Sequence, residues 1–470
     1  MRRVALLLPL SLSPLLFLAP SNAAPEIPAA HRPAARDVVR YRGGCRHPQA
    51  GWVVLHIEGE PYPRGYQHGR LLATEIAAYI RMLATERSAK APADGWKSAR
   101  QIANALFLRK IDPEVLEEMK GIADGATDAG ASYEKRDIDL LDVVTLNTWM
   151  ELESLDPALD TMPTAIEGKT FPRPGLPKAP APRPRKADHC SAFIATGPAT
   201  ADGKIVFGHI TMAGLTSGPF VNVWIDVVPK KGRRFVMQTF PGGVWSSQDY
   251  YINDAGILLC ETTIGQTPFD AAGTTLTSRS RKAIQYAESV DAVVKALTER
   301  NNGLYSNEWL IGDLKTNEIA MFELGTKATK LWRSSKNEWF ENTKGFYWGN
   351  NNAKDAAVRF EALPADADAR PEKVEWEPDE RDKAWLKFYK DHAGKIDEAA
   401  AKKALSDDTL AQDTSLDAKY TTAALAAKLA THATYGPPNG KARKPTDEQK
   451  RDHPEIVTLD PHPWTVLTAP

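Results

Sequence analysis

Apolar residues keep a helix-like spacing through the first third of the chain and a strand-like spacing after it. Residues 51–57 are an apolar, β-branched run closed by the turn Gly59-Glu60-Pro61-Tyr62-Pro63, which predicts a strand entering a loop. Helical patterns follow over 66–83 and 98–110. Asp112-Pro113 supplies a capping residue and a proline at the first helical position. A helix is therefore expected to run to about 123 with Val115, Met119 and Ile122 on one face, and another over 140–152.

Between 171 and 186 the chain carries prolines at nearly every other position, which excludes a helix or a central strand because proline has no amide donor. Strand-like runs come directly afterwards, over 191–196, 204–209, 220–228, 234–239, 250–252 and 256–263, with turns at Asp202-Gly203 and Asp254-Ala255-Gly256. A helix is predicted over 280–299, strands over 309–312 and 319–323, and helices over 381–405. Residues 365–379 read as a surface excursion, and the tail from 436 to 470 shows no strong periodicity. The most economical architecture is a layered α+β fold.

Composition narrows this reading. Arg2 and Arg3, the apolar run 4–18 and the small residues Ser21, Ala23 and Ala24 have the order of a secretory leader, so residues 1–24 are set apart from the fold and an exported protein is expected. No later run is long and apolar enough to span a bilayer. With 59 basic and 60 acidic residues, nothing in the overall charge points to nucleic acid. The three cysteines, Cys45, Cys190 and Cys260, leave at least one thiol unpaired. A Cys45–Cys260 bridge fits the count, but Cys260, inside an apolar run, reads better as a buried core residue.

Cys190 alone lies where the proline-rich linker meets a strand. If the His189–Cys190 peptide bond is cut, Cys190 becomes a terminus whose free α-amine can take the proton from its own thiol. The α-amine and the thiol titrate near ~7.7–8.0 and ~8.5, so that exchange is nearly balanced at neutral pH and no separate histidine is required.

The motifs His189-Cys190-Ser191-Ala192, Phe207-Gly208-His209-Ile210-Thr211, Tyr250-Tyr251-Ile252 with Glu261-Thr262-Thr263-Ile264-Gly265, and Tyr305-Ser306-Asn307-Glu308-Trp309 together resemble the phospholipase B-like family. Gly59-Glu60-Pro61-Tyr62 and Gly65-Tyr66-Gln67-His68-Gly69 resemble the related aminopenicillanic acid acyltransferase type. The resemblance runs from Gly51 to about Gly345, with a further likeness at Gly436-Pro437-Pro438 and Pro461-His462-Pro463-Trp464-Thr465. It implies a four-layer αββα sandwich of the N-terminal-nucleophile (Ntn) hydrolase type. It also implies a precursor cut ahead of Cys190 into fragments 25–189 and 190–470 that stay associated, the first mostly helical and ending in the linker at about 160–189.

Carried over position by position, the resemblance makes Cys190 the nucleophile, with His209 placed to contact it or its amine. Met212 stands where the family commonly has tryptophan. Thr263 is the candidate for holding nucleophile or substrate. Asn307 is the candidate oxyanion donor, since an uncharged amide donates without titrating. Asp249 could anchor the α-ammonium. Of the arginines that could orient the terminal cysteine, Arg279, Arg281 and Arg359 compete, and Arg281, which opens a helix, is favoured. His68 and Gln67 are expected to pack the first fragment against the sheet.

The expected substrate is a small acylated molecule, either a linear amide or, as second choice, a lipid ester, with no cofactor. A papain-like peptidase would put its cysteine at a helix start, whereas 191–196 reads as strand. The Gly-x-Ser-x-Gly of serine hydrolases, clustered metal ligands and a phosphate-cradling glycine loop are missing from the sequence. A non-catalytic exported binding protein of the same fold is the alternative of another class.

Overall fold

The computed structural model describes residues 37–162, 165–166, 169–170, 190–365, 374–454 and 456–469. The expected leader, residues 163–164, 167–168 and 171–189 of the linker, His189 among them, and residues 366–373 of the expected surface excursion lie outside the described residues.

Strands β1 (Val39–Tyr41), β2 (Gly44–Gln49) and β3 (Trp52–Gly59) form an antiparallel ribbon near the start. After Cys190 come β4 (Ser191–Ala195), β5 (Val206–Met212), β6 (Val223–Pro229), β7 (Phe235–Thr239), β8 (Tyr250–Asn253) and β9 (Ile257–Thr263). They are followed by β10 (Asn307–Asp313), β11 (Glu318–Leu324), β12 (Thr329–Arg333) and β13 (Phe346–Gly349). The last three are β14 (Ser415–Thr422), β15 (Thr431–Tyr435) and β16 (Thr465–Leu467).

Ten of these make one sheet, in the order β1-β2-β3-β6-β7-β8-β9-β10-β11-β12, and six make another, β13-β4-β5-β14-β15-β16. The ribbon joins the larger sheet through a parallel β3–β6 pairing that runs from Val53↔Val223 to Gly59↔Pro229. The first part is therefore helical but also supplies three strands to a sheet that the second part completes.

Side-chain alternation sets the layers. Trp224, Val236, Ile252 and Leu258 of the large sheet meet Ala192, Ile194 and Phe207 of the small one in a core between the sheets. The alternate residues Ile225, Met237, Leu259 and Ile311 pack under helices through Ile80, Met119, Ile122 and Ile284. On the far side, Phe193, Ile210 and Trp348 pack under Trp385, Phe388 and Leu405. The order is helix, sheet, sheet, helix. Among the described residues no helix is long and apolar enough to cross a membrane.

Element types follow the sequence, and the differences have local causes. The expected helix 66–83 is two, Pro61–Leu71 and Ala73–Arg87, interrupted at Leu72 (φ −120°, ψ 25°). The expected helix 280–299 is also two, Leu276–Tyr286 and Val290–Thr298, the second capped by Ser289. The run 381–405 divides into Glu380–His392 and Glu398–Leu405 around Gly394 (φ +76°). Asp112 caps Pro113–Asp128 as its side chain accepts from Glu114 N. The tail, without periodicity of its own, supplies β16 at the small sheet's edge. All three cysteines are free and buried, so Cys45 and Cys260 are not bridged, and Cys260 sits in the core between the sheets.

Helices Pro61–Leu71 and Pro113–Asp128 touch backbone to backbone. A Cβ at Gly65 would stand 2.0 Å from the Glu118 carbonyl oxygen, and one at Gly121 2.2 Å from that of Tyr62. This contact brings buried Glu118 to Arg64 (2.6 Å) and Arg281 (2.7 Å). His68 Nε2 accepts from Gly242 N at 2.9 Å, and Gln67 pairs with both backbone groups of Glu58. Asn147 donates to the Gly242 carbonyl and accepts from Val244 N.

Glu151 Oε1 accepts from Leu276 N (3.1 Å) and Asn302 Nδ2 (2.6 Å), which puts a carboxylate at the N-terminus of helix Leu276–Tyr286. Burial, the largest influence, pushes the Glu151 carboxyl up to about 7. The folded chain thus holds this proton more tightly than the unfolded chain, whose glutamate titrates near ~4.3. The stabilisation is complete below about pH 4 and is lost as pH rises towards about 7, with a slope of at most ~1.4 kcal/mol per pH unit from this group. Glu151→Gln should remove that component, and urea midpoints at pH 5 and 7.5 should differ less in the variant than in the parent. An unchanged difference would contradict the assignment.

Candidate functional site

Cys190 immediately precedes β4, and alternation with Ala192 and Ile194 turns its side chain towards the space between the sheets. Its backbone nitrogen donates to Asn351 Oδ1 (2.8 Å), and its carbonyl accepts from Arg381 Nη1 (2.6 Å). The same Nη1 reaches Asn351 Oδ1 at 3.0 Å, while Arg381 Nη2 donates to the Asn350 carbonyl. Asn351 Nδ2 donates to the Thr263 carbonyl (2.7 Å), tying the end of β9 to this anchor. Asn351 has φ +72°, a left-handed conformation that asparagine tolerates better than most residues.

The thiol of Cys190, an imidazole nitrogen of His209 and a carboxylate oxygen of Asp249 all lie within 4.8 Å of one another. His209 pairs with Ala192 across β4–β5, and its Nε2 stands 3.1 Å from the Glu261 carbonyl. A carbonyl only accepts, so Nε2 carries the hydrogen and Nδ1, which has no partner, keeps its lone pair. Next on the same face is Thr211, whose hydroxyl accepts from Lys419 Nζ (2.6 Å). Lys419 is itself ion-paired with Asp417 (2.6 Å), both side chains being fully buried.

Burial dominates the electrostatics. It pushes the Cys190 thiol well up, reinforced by Asp249 and Glu261 and opposed by the Met212 amide and Lys419. It also drives His209 well down, with Lys419 adding to the effect, so the imidazole is neutral. The Asp249 and Glu261 carboxyls lie against each other. Burial raises Asp249 to about 7, and burial followed by the charge of Asp249 raises Glu261 well above the carboxylate range. The site therefore rests as thiol, neutral imidazole and a carboxyl pair that holds on to protons.

Cys190, Asp249, Thr263 and Tyr305 open onto a cavity of about 400 Å³. Tyr79, Leu83, Trp149 and Met150 of the first part form an apolar wall, and Glu153 and Arg443 are among its charged groups. Tyr305 is held at φ +55°, a strained conformation for an aromatic residue, with its amide bonded to Gln266 Oε1 (3.0 Å).

Of the sequence candidates, the structure brings Cys190, His209, Asp249 and Thr263 to one place. It does not bring Arg281, which lies in the Glu118 ion pair and donates to the Val244 carbonyl (2.8 Å). Arg279 bonds the Leu297 carbonyl and Arg359 the Ala353 carbonyl. The arginine on Cys190 is Arg381, which in sequence looks like an ordinary first-turn helix residue. Asn307 pairs with Thr263 across β9–β10 but is not part of the cavity wall, and its amide is buried without a partner. The amide touching Cys190 is Asn351, whose one sequence signal is the run Asn350-Asn351-Asn352 after an aromatic strand. Glu261 was legible only as a lone acid inside the apolar β9.

The profile of the phospholipase B family matches residues 95–335, just over half of the chain. The chain belongs to the phospholipase B family. It is 28% identical over 298 residues to an uncharacterised protein of Archaeoglobus fulgidus, covering 60% of this chain and 44% of that one. It is likewise 28% identical over 134 residues to the putative phospholipase B-like 1 of Caenorhabditis elegans, covering 27% and 23%. These matches span less than half the length of either relative. Among solved structures, the N-acylethanolamine-hydrolyzing acid amidase ortholog of C. elegans aligns at a TM-score of 0.35 and 10% identity, over 50% of this chain and 94% of that one.

Within this phospholipase B family member, Arg381 and Asn351 hold Cys190 together. Arg381→Met takes this donor from the Cys190 and Asn350 carbonyls, while Asn351 Oδ1 keeps the Cys190 amide, and each orphaned buried group costs ~1–3 kcal/mol. The expected outcome is a drop of several kcal/mol in unfolding free energy by urea titration, against less than about 0.5 kcal/mol for the exposed control Lys383→Met. Equal effects would show that the anchor is not holding the fold.

Proposed function

We propose that this chain is an exported, self-cleaving cysteine hydrolase of the N-terminal-nucleophile type, cut before Cys190 and cleaving or transferring an acyl group from a linear amide. The observation that carries the proposal is the position of Cys190. Its backbone nitrogen is held by Asn351, its thiol stands within 4.8 Å of His209 and Asp249, and Cys190 and Asp249 line a cavity.

After cleavage that nitrogen is the α-amine, and it takes the thiol proton as sulfur attacks the substrate carbonyl. The resting thiol is raised by burial, so attack needs a local acceptor, and the neutral amine on the same residue is one. Asn351 and Arg381 orient the amine, and Asp249 receives its charge once it is protonated. Thr263, on the cavity wall, donates its hydroxyl to the developing oxyanion, with Tyr305 beside it. Collapse breaks the C–N bond as the α-ammonium returns the proton to the leaving amine, and the thioester left behind is released by water or an acceptor amine.

The apolar wall from the first fragment suits the acyl chain. An acyl ester, in keeping with the family's name, is the second substrate reading, since the same groups attack either carbonyl. The bonds of His68, Asn147 and Glu151 to the second fragment support continued association after cleavage.

Purified exported protein should give two fragments on intact-mass analysis, one beginning at Cys190 by stepwise degradation. Cys190→Ala should remain a single chain with turnover of acyl-amide substrates reduced by on the order of 10³-fold or more. A single uncut chain with full turnover, or full turnover in Cys190→Ala, would overturn the proposal.

A further inference from the structure

The sequence places Cys190, His209 and Asp249 far apart and shows no clustered metal ligands, but the fold gathers one sulfur, one nitrogen and one oxygen donor within 4.8 Å of one another. His209 is fully buried and among the described residues its Nδ1 has no partner, a costly arrangement for a ring nitrogen sealed from water. The other ring nitrogen faces the Glu261 carbonyl at 3.1 Å. A histidine whose Nε2–H is fixed on a backbone carbonyl while Nδ1 is left free has the tautomer and the outer partner of a metal-ligating histidine. Asp249 is also buried, and among the described residues its Oδ1 has no hydrogen-bond partner.

We propose that Cys190, His209 and Asp249 bind a single zinc ion that reversibly blocks the nucleophile. A thiolate, an imidazole and a carboxylate form a donor set suited to zinc, with a fourth position left open. Here the cavity reaches Cys190 and Asp249 and gives the ion and a water a route in. Zinc–ligand bonds of ~2.0–2.3 Å need donor atoms roughly 3.3–3.8 Å apart, a contraction that side-chain torsions can supply in a cluster of this size. On binding, the Cys190 S–H bond and the O–H bond of any protonated Asp249 break, those protons leave to solvent, and the sulfur and carboxylate lone pairs form bonds to zinc. No electron is transferred. A coordinated sulfur cannot attack a carbonyl, so occupied protein is inactive until the metal is withdrawn. The block rests on Cys190 being the nucleophile; the binding does not.

The test titrates chelator-stripped protein with zinc, and with cobalt as its spectroscopic stand-in, so that binding is read without turnover. One ion per chain and a thiolate-to-cobalt charge-transfer band are expected. Cys190→Ser should abolish the band and weaken zinc by at least about 100-fold, and Asp249→Asn should weaken it by at least about 10-fold. Circular dichroism checks that the variants are folded. Independently of any variant, zinc should slow alkylation of Cys190 by iodoacetamide at least tenfold in the parent protein, read by peptide mass. Absence of stoichiometric uptake, or uptake unchanged in folded Cys190→Ser, overturns the site. If zinc fails to bind while alkylation of Cys190 abolishes turnover, the metal proposal falls and the nucleophile assignment stands. If zinc binds and shields Cys190 yet turnover continues, the block and the nucleophile assignment both fall.

Discussion

One guanidinium fixes the geometry on which the rest depends. Arg381 donates to the carbonyl of Cys190 and to the side chain that accepts from the nitrogen of Cys190, so a single planar group grips both ends of the residue's backbone. A lysine could not reproduce this, because its charge has no fixed fork. The consequence is that the backbone of Cys190 is fixed at both its nitrogen and its carbonyl. A residue expected to use its own nitrogen as a base has this requirement, whereas a cysteine paired with a distant histidine does not.

The fold around that residue is a compromise between apolar layers and a buried polar seam. The sheets meet through alternating Trp224, Ile194, Leu258 and their neighbours, yet the same face of β5 and β14 carries His209, Thr211, Asp417 and Lys419 near Cys190. Each charged group there finds a partner at hydrogen-bond distance, as with Gln238 on Asp417, and this makes the seam tolerable in a low-dielectric interior. The same interior keeps the thiol protonated and the imidazole neutral. The nitrogen bonded into the same residue as that sulfur is fixed by Asn351 at 2.8 Å.

The two parts of the chain are joined by backbone pairing as well as by side chains. The β3–β6 ladder makes the first part a set of strands in the common sheet, and Glu118, Asn147 and Glu151 bind the loops and helix on the other side. These contacts join residues before 162 directly to residues after 190. The first part also forms the apolar wall of the cavity, so the catalytic reading needs both parts in place.

The sequence alone determined what depends on near neighbours. The apolar alternation of β4 to β9, the Asp112 cap, the helical spacing around Met119 and the unusual position of Cys190 after a proline-rich run were all legible within a few residues. Motif order also carried His209, Thr263 and Asp249 to the site. The breaks at Leu72 and Ala287 were not legible, since periodicity continues through a kink. Nor was the role of the tail, whose short edge strand takes its order from the sheet it joins. Tertiary structure alone brought Asn351 and Arg381 to the backbone of Cys190, across 161 and 191 residues of chain. Those contacts are set by where β13 and helix Glu380–His392 pack, and no local pattern records that. The same long-range packing brought the thiol of Cys190, the imidazole of His209 and the carboxyl of Asp249 together from separate strands and loops.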